Sequence, residues 1–171
     1  DFTDPFPVTR YNSYISVISL DAAGNPDRSS RWSAYFLQNR RAPDDRAQFP
    51  SVAVDSLGGI HCVWQHRDPE AAGAAIGYAR AGGGSWEQTS IAPNVANLVG
   101  RPRIVRGEAG GVEIVWSTTT GAVVWQEKDH EGLTTLDDFV VSQPSAQANR
   151  ASVAAGYGNV FFSWADQRDG A

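Results

Sequence analysis

The chain of 171 residues has no methionine, a single cysteine (Cys62) and a single lysine (Lys128). One cysteine excludes an intrachain disulfide, so nothing covalent staples the fold. Nowhere is there an apolar run of about eighteen residues, which excludes a helical membrane span. Basic residues do not cluster and the formal net charge is −5, so nucleic acid is not an expected partner. The three histidines, His61, His66 and His130, stand without metal-ligand spacing to a second histidine or to Cys62. G-x-S-x-G, P-loop and EF-hand patterns are absent as well, so neither a metal nor a cofactor is expected. The first residue is Asp1 and no signal-peptide pattern follows. Compartment stays open on that ground, an extracellular or periplasmic setting being preferred.

What the chain does have is turn-forming and β-forming residues. Seventeen glycines, nine prolines and six tryptophans fit an all-β protein dense in turns, and 42% hydrophobic content suffices for a real core. Thirteen of the fourteen basic residues are arginine, reflecting either genome composition or a preference for planar, bidentate pairing.

One sentence is written three times: PSVAVDSLGGIHCVW (50–64), PRIVRGEAGGVEIVW (102–116) and ASVAAGYGNVFFSW (151–164). Each copy is a β-rich run, a glycine-bearing turn, a second β-rich run and a closing tryptophan, which predicts an antiparallel hairpin. Trp64, Trp116 and Trp164 recur at spacings of 52 and 48. A period near fifty built of strands predicts a β-propeller of four-stranded antiparallel blades. The three tryptophans are then expected to pack blade against blade.

Read in order, YISVISL (14–20) and WSAYFL (32–37) are strands separated by a turn-rich loop, DAAGNPDRSS (21–30). After the first hairpin, QHRDPEAAG reads as a loop, AIGYAR (75–80) as a third strand and WEQTSI (86–91) as a fourth. The second hairpin is followed by AVVWQEK (122–128), an acidic loop DHEGLTTLDD (129–138) and FVVS (139–142). One partial propeller domain spanning 1–171 results. It has a half-blade at 13–38, full blades at 50–91 and 102–142, and a half-blade at 151–166. That makes about three blade-equivalents, with one blade split between the termini.

The phrases SVAVDSLGGIHCVW, FFSWADQRDG and YISVISLDAAGNP resemble the repeats of sialidase-like β-propellers. The segment ARAGGGSW (79–86) resembles a degenerate Asp-box, S-x-D-x-G-x-T-W. Gly83, Ser85 and Trp86 match it, while Ala79 and Ala81 replace its serine and aspartate. The resemblance implies a fold shared by hydrolases, lyases, lectins and scaffolds. It further implies that a catalytic member would carry three converging arginines, a Tyr/Glu nucleophilic pair and an acidic acid/base residue. Arginines stand at 67, 101, 103, 150 and 168, but the family's Arg-Ile-Pro motif is missing, Arg103-Ile104-Val105 taking a different form.

Candidate ligand-binding residues are His66, Arg67 and Asp68 after the first repeat tryptophan, and Asp166, Arg168 and Asp169 after the third, with Arg103 and Trp125 beside them. An arginine flanked by aspartate can grip sugar hydroxyls or a carboxylate, or each pair can brace its own loop. Trp125 has no counterpart in the other full blade and could stack on a sugar ring, or pack internally. Asp44-Asp45 and Asp137-Asp138 read as solvated turns.

Three functional readings follow. The first is a non-catalytic, lectin-like module, glycan-binding, that completes a six-bladed ring by homodimerisation. The second is part of a sialidase-like glycoside hydrolase or polysaccharide lyase whose active ring needs more blades. The third is a purely structural repeat.

Overall fold

The computed structural model describes residues 15–34, 46–68, 73–82, 85–92, 101–142 and 148–166. Among them every regular element is a strand, and every pairing is antiparallel. The strands are β1 (Ile15–Leu20), β2 (Pro26–Ala34), β3 (Arg46–Val54), β4 (Ile60–Asp68), β5 (Gly73–Gly82) and β6 (Ser85–Ala92). They continue as β7 (Arg103–Arg106), β8 (Val112–Ser117), β9 (Val123–Lys128), β10 (Thr134–Val140), β11 (Asn149–Gly156) and β12 (Asn159–Ala165). Two four-stranded sheets, β3-β4-β5-β6 and β7-β8-β9-β10, follow sequence order, and β1-β2 and β11-β12 are separate two-stranded sheets.

A single turn design joins most of these strands. In segments 21–25, 55–59, 107–111, 118–122 and 129–133 the first residue's N–H donates to the fifth residue's carbonyl. The fourth residue's N–H donates back to the first residue's carbonyl. The fourth residue is always glycine with positive φ: Gly24, Gly58, Gly110, Gly121 and Gly132, at 80° to 99°. That region is open to glycine at little steric cost. In three of the turns an aspartate leads, and its Oδ1 accepts from the N–H groups two and four residues on, as Asp21, Asp55 and Asp129 each do. A local sequence, Asp-x-x-Gly, thus fixes hairpin geometry before any tertiary contact forms.

The sheets stack side by side. The first strand of the second sheet, β7, packs on both β3 and β11. Ser56 N–H donates to Gly110 O at 2.8 Å, tying the turn of one sheet to the equivalent turn of the next. The largest core cluster lies between the two four-stranded sheets: Val63, Ile76 and Tyr78 meet Ile104, Val112, Ile114, Trp116 and Val124. A second cluster places Trp64, Cys62, Ala47 and Ala79 against Val17 of β1. A third sets Val115, Val123 and Val105 against Val153, Phe162 and Trp164. Each repeat tryptophan therefore packs between its own sheet and the one before it in sequence. Trp64 and Trp116 are buried, and Trp164 is half-buried.

Three segments differ from the sequence expectation. The loop expected over 21–30 is strand from Pro26 onward, because the compact turn at Asp21–Asn25 lets β2 start early. The acidic loop expected over 129–138 is strand from Thr134, and its residues are mostly exposed. An outer strand with a solvated face needs no apolar alternation, so its sequence reads as loop. The segment expected to be loop directly after Trp64 is strand as far as Asp68, and His66 within it pairs in register with Ala47 and Ala75.

Candidate functional site

Phe49, Arg101 and Arg150 hold the same place in the three repeats, each directly before the repeat's first residue, Pro50, Pro102 and Ala151. Phe49 has φ 55° and Arg150 has φ 54°, a left-handed conformation that costs a non-glycine residue of order 1 kcal/mol. Both sit where the strand register shifts, between Gln48 and Ser51 and between Asn149 and Ser152. Such bulges re-aim side chains at a sheet's end. The Arg101 guanidinium lies over the Phe49 ring, 4.4 Å from its centroid, a cation–π contact that orients its fork.

Beside this contact opens a cleft of about 350 Å³ lined by Arg101, Arg103, Arg150, Ala151 and Ser152. It is built from the start of β7 and the start of β11, strands of two different sheets. All three arginines are exposed. Among the described residues none of them forms an ion pair with a carboxylate. Three planar cations facing one opening, with the Ser152 hydroxyl beside them, form a donor-rich and acceptor-poor surface suited to an anion.

Of the residues singled out from sequence, Arg103 lies in this cleft, together with Arg101 and Arg150, which had drawn attention only as arginines. Their shared repeat position, one residue before Pro102 and Ala151, was the available signal. His66 is buried on β4. Arg67 and Asp68 belong to the same strand, in register with Ala74 and Gly73, and not to a loop. Asp166 is exposed just beyond β12, and Arg168 and Asp169 lie outside the described residues, as do Gly83 and Gly84 of the Asp-box-like segment. Trp125 is half-buried. Its ring meets Phe162 edge-on at 5.4 Å and Phe139 at 6.1 Å, and its indole N–H donates to Glu113 Oε2 at 2.6 Å.

Two clusters of buried polar side chains lie away from the cleft. Asp55, His61 and Tyr78 form a chain between β3, β4 and β5. His61 Nε2 lies 3.0 Å from Asp55 Oδ2, and His61 Nδ1 lies 2.7 Å from the Tyr78 hydroxyl. Burial alone would raise the Asp55 pKa, but hydrogen bonds from His61, Gly59 N–H and Leu57 N–H outweigh it and hold the carboxyl below its ordinary value. Burial lowers the His61 pKa, opposed by Asp55. A neutral ring that donates from Nε2 to the carboxylate accepts the Tyr78 O–H at Nδ1, which satisfies all three groups. The second group is Glu113, buried on β8 beside its register partner Glu127. Burial raises its pKa, offset by the Trp125 N–H and reinforced by Glu127. Two adjacent carboxylates can serve general acid–base chemistry, but Glu113 is sealed against Trp125 and the Gly107 backbone. Among the described residues no group of His, Cys, Asp and Glu side chains could hold a metal ion.

No protein-family model matches the chain, and no curated protein matches its sequence.

Proposed function

We propose that the chain is a sialidase-like β-propeller segment that binds an acidic glycan, gripping a carboxylate of the sugar in the Arg101–Arg103–Arg150 cleft. The observation that carries this reading is the cleft itself: three exposed guanidinium groups without carboxylate partners among the described residues. On a chain of net charge −5, a local trio of cations is a departure that selects anions against the overall field. Support for the propeller frame comes from the stacking of successive four-stranded sheets and from the neighbouring first strands β3, β7 and β11. In a propeller those strands lie nearest the axis, and a cleft at their starting ends opens on one face of the ring.

Binding of uronic- or sialic-acid-containing oligosaccharides, measured by calorimetry beside their neutral counterparts, tests the reading. Arg103→Ala and Arg150→Ala are each expected to weaken acidic-glycan binding about tenfold or more, the worth of one hydrogen bond to a charged group. Melting temperatures should stay near the parent's, because both side chains are exposed. Equal affinity for acidic and neutral glycans, or no loss in either variant, would sink the reading. Turnover of an acidic glycoside, abolished by Arg103→Ala, would replace it with the hydrolase reading.

A further inference from the structure

Phe49 lies at a point where β3 breaks its own alternation. Ala47 pairs with His66 and Val52 with Cys62, so both face the same side of the sheet although five positions separate them. A regular strand returns to one face only after an even number of residues. One extra residue is therefore held in the bulge between Gln48 and Ser51, where Phe49 has its φ of 55°. Released from the alternation, its ring reaches across to the second sheet and lies 4.4 Å from the Arg101 guanidinium. Ser51 fastens the same stretch: its hydroxyl accepts the Ile104 N–H of β7 at 3.4 Å.

Arg101 has reason to need such a partner. Its neighbour Pro102 is fully buried, which fixes the backbone, but the Arg101 side chain is exposed. Arg103 and Arg150 line the same cleft, so like charges push the Arg101 cation toward open water. Among the described residues no carboxylate pairs with it, and of the three arginines it alone has an aromatic ring beneath it. The negative face of a ring attracts a guanidinium without neutralising it. A carboxylate partner would also hold the arginine, but it would occupy the N–H donors that an anion requires. The ring leaves those N–H groups, which point outward along the edge of the guanidinium plane, open to a ligand.

We infer that Phe49 is the positioning residue of the anion cleft, holding the Arg101 fork in place before a ligand arrives. This assignment rests on the cleft reading above and deepens it by naming the residue that sets the site's affinity. Binding then needs less ordering of a long, rotamer-rich side chain, which is how preorganisation raises affinity. A carboxylate meets Arg101 in the plane of the guanidinium, as bidentate pairing demands. The left-handed backbone at Phe49 suits the role, because strain persists where the surrounding structure imposes it, and such positions cluster at ligand clamps.

Two measurements test the assignment, one on the arginine and one on the ligand. In nitrogen–proton correlation spectra of the 171-residue chain, the Arg101 Nε–H signal, identified by its loss in Arg101→Ala, should lie upfield through the Phe49 ring current. It should return to the ordinary arginine position in Phe49→Leu and stay upfield in Phe49→Tyr. Sialyllactose and oligogalacturonate, each beside its neutral counterpart, are the binding probes. Phe49→Leu should weaken acidic-probe binding about two- to fivefold, the worth of an exposed cation–π contact, while Phe49→Tyr keeps the parent's affinity. Added to Arg101→Ala, Phe49→Leu should cost nothing further, because its effect passes through Arg101. Four results would each overturn the assignment: undiminished affinity in Phe49→Leu, equal losses in the Leu and Tyr variants, additive losses in the double variant, or an Arg101 signal indifferent to the Phe49 changes. If Arg103→Ala and Arg150→Ala still lose binding in that case, the cleft reading stands without it. A parent that binds neither acidic probe better than its neutral counterpart overturns the cleft reading and the assignment together.

Discussion

The Trp64 indole occupies the space that a side chain on Gly77 would need. The two residues are register partners on β4 and β5, and a Cβ built on Gly77 would clash with Cε2, Cζ2 and Nε1 of the indole. Both residues are buried, so neither can move away without opening the core. Glycine inside a strand ordinarily weakens it, and here a close approach explains its presence. Gly77→Ala is expected to destabilise the chain by about 1–3 kcal/mol, the usual range for overpacking. Denaturant unfolding checks this, and combining Gly77→Ala with Trp64→Leu should recover part of the loss. An unchanged midpoint in Gly77→Ala would mean that the indole lies elsewhere.

The Asp55–His61–Tyr78 chain makes a pH-dependent contribution. Burial lowers the His61 pKa beneath its ordinary 6.5, so the unfolded chain binds the proton more readily than the folded one. Stability from this residue is therefore complete above about pH 6.5 and is lost as the pH falls below it. Asp55, whose pKa is also lowered in the fold, contributes stability present above the ordinary 3.8 and lost as the pH falls further. Unfolding midpoints should decline from pH 7.5 to pH 5. Tyr78→Phe should cost about 1–3 kcal/mol by leaving His61 Nδ1 without its donor. A flat profile between pH 7.5 and pH 5 would contradict the buried neutral imidazole.

Glu113 acts in the opposite direction. Burial raises its pKa, so the folded state holds the proton more tightly and this residue's contribution is lost as the pH rises through its folded value. Glu113→Gln keeps an oxygen to accept the Trp125 N–H and removes the buried charge. The variant should be at least as stable as the parent at pH 8. Glu113→Ala leaves the indole N–H without an acceptor and should lose about 1–3 kcal/mol. A Gln variant that falls as far as the Ala variant would show that the charge itself, not the hydrogen bond, is what the site needs.

The strands that carry the repeats were legible because their patterning is local. Alternating or continuous apolar residues, an Asp-x-x-Gly or Gly-rich turn and a closing tryptophan determine a hairpin whatever packs against it. The strands that were misread, β2 and β10 and the end of β4, are rich in charge or polar residues. Their pairing depends on a neighbouring strand already in place, and their residues carry little apolar signal of their own. His66 illustrates the point: polar in sequence, it is buried because small alanines stand opposite it on both sides.

The sequence by itself determined the all-β class, the antiparallel hairpins and the fifty-residue rhythm, since turn chemistry and side-chain period act over a few residues. Only the tertiary structure decided which side chains meet. Arg101, Arg103 and Arg150 reach one cleft because β7 and β11 start side by side in different sheets, and the bulge at Arg150 redirects its strand. Contacts between residues some fifty positions apart depend on how sheets stack, and no local pattern encodes that geometry.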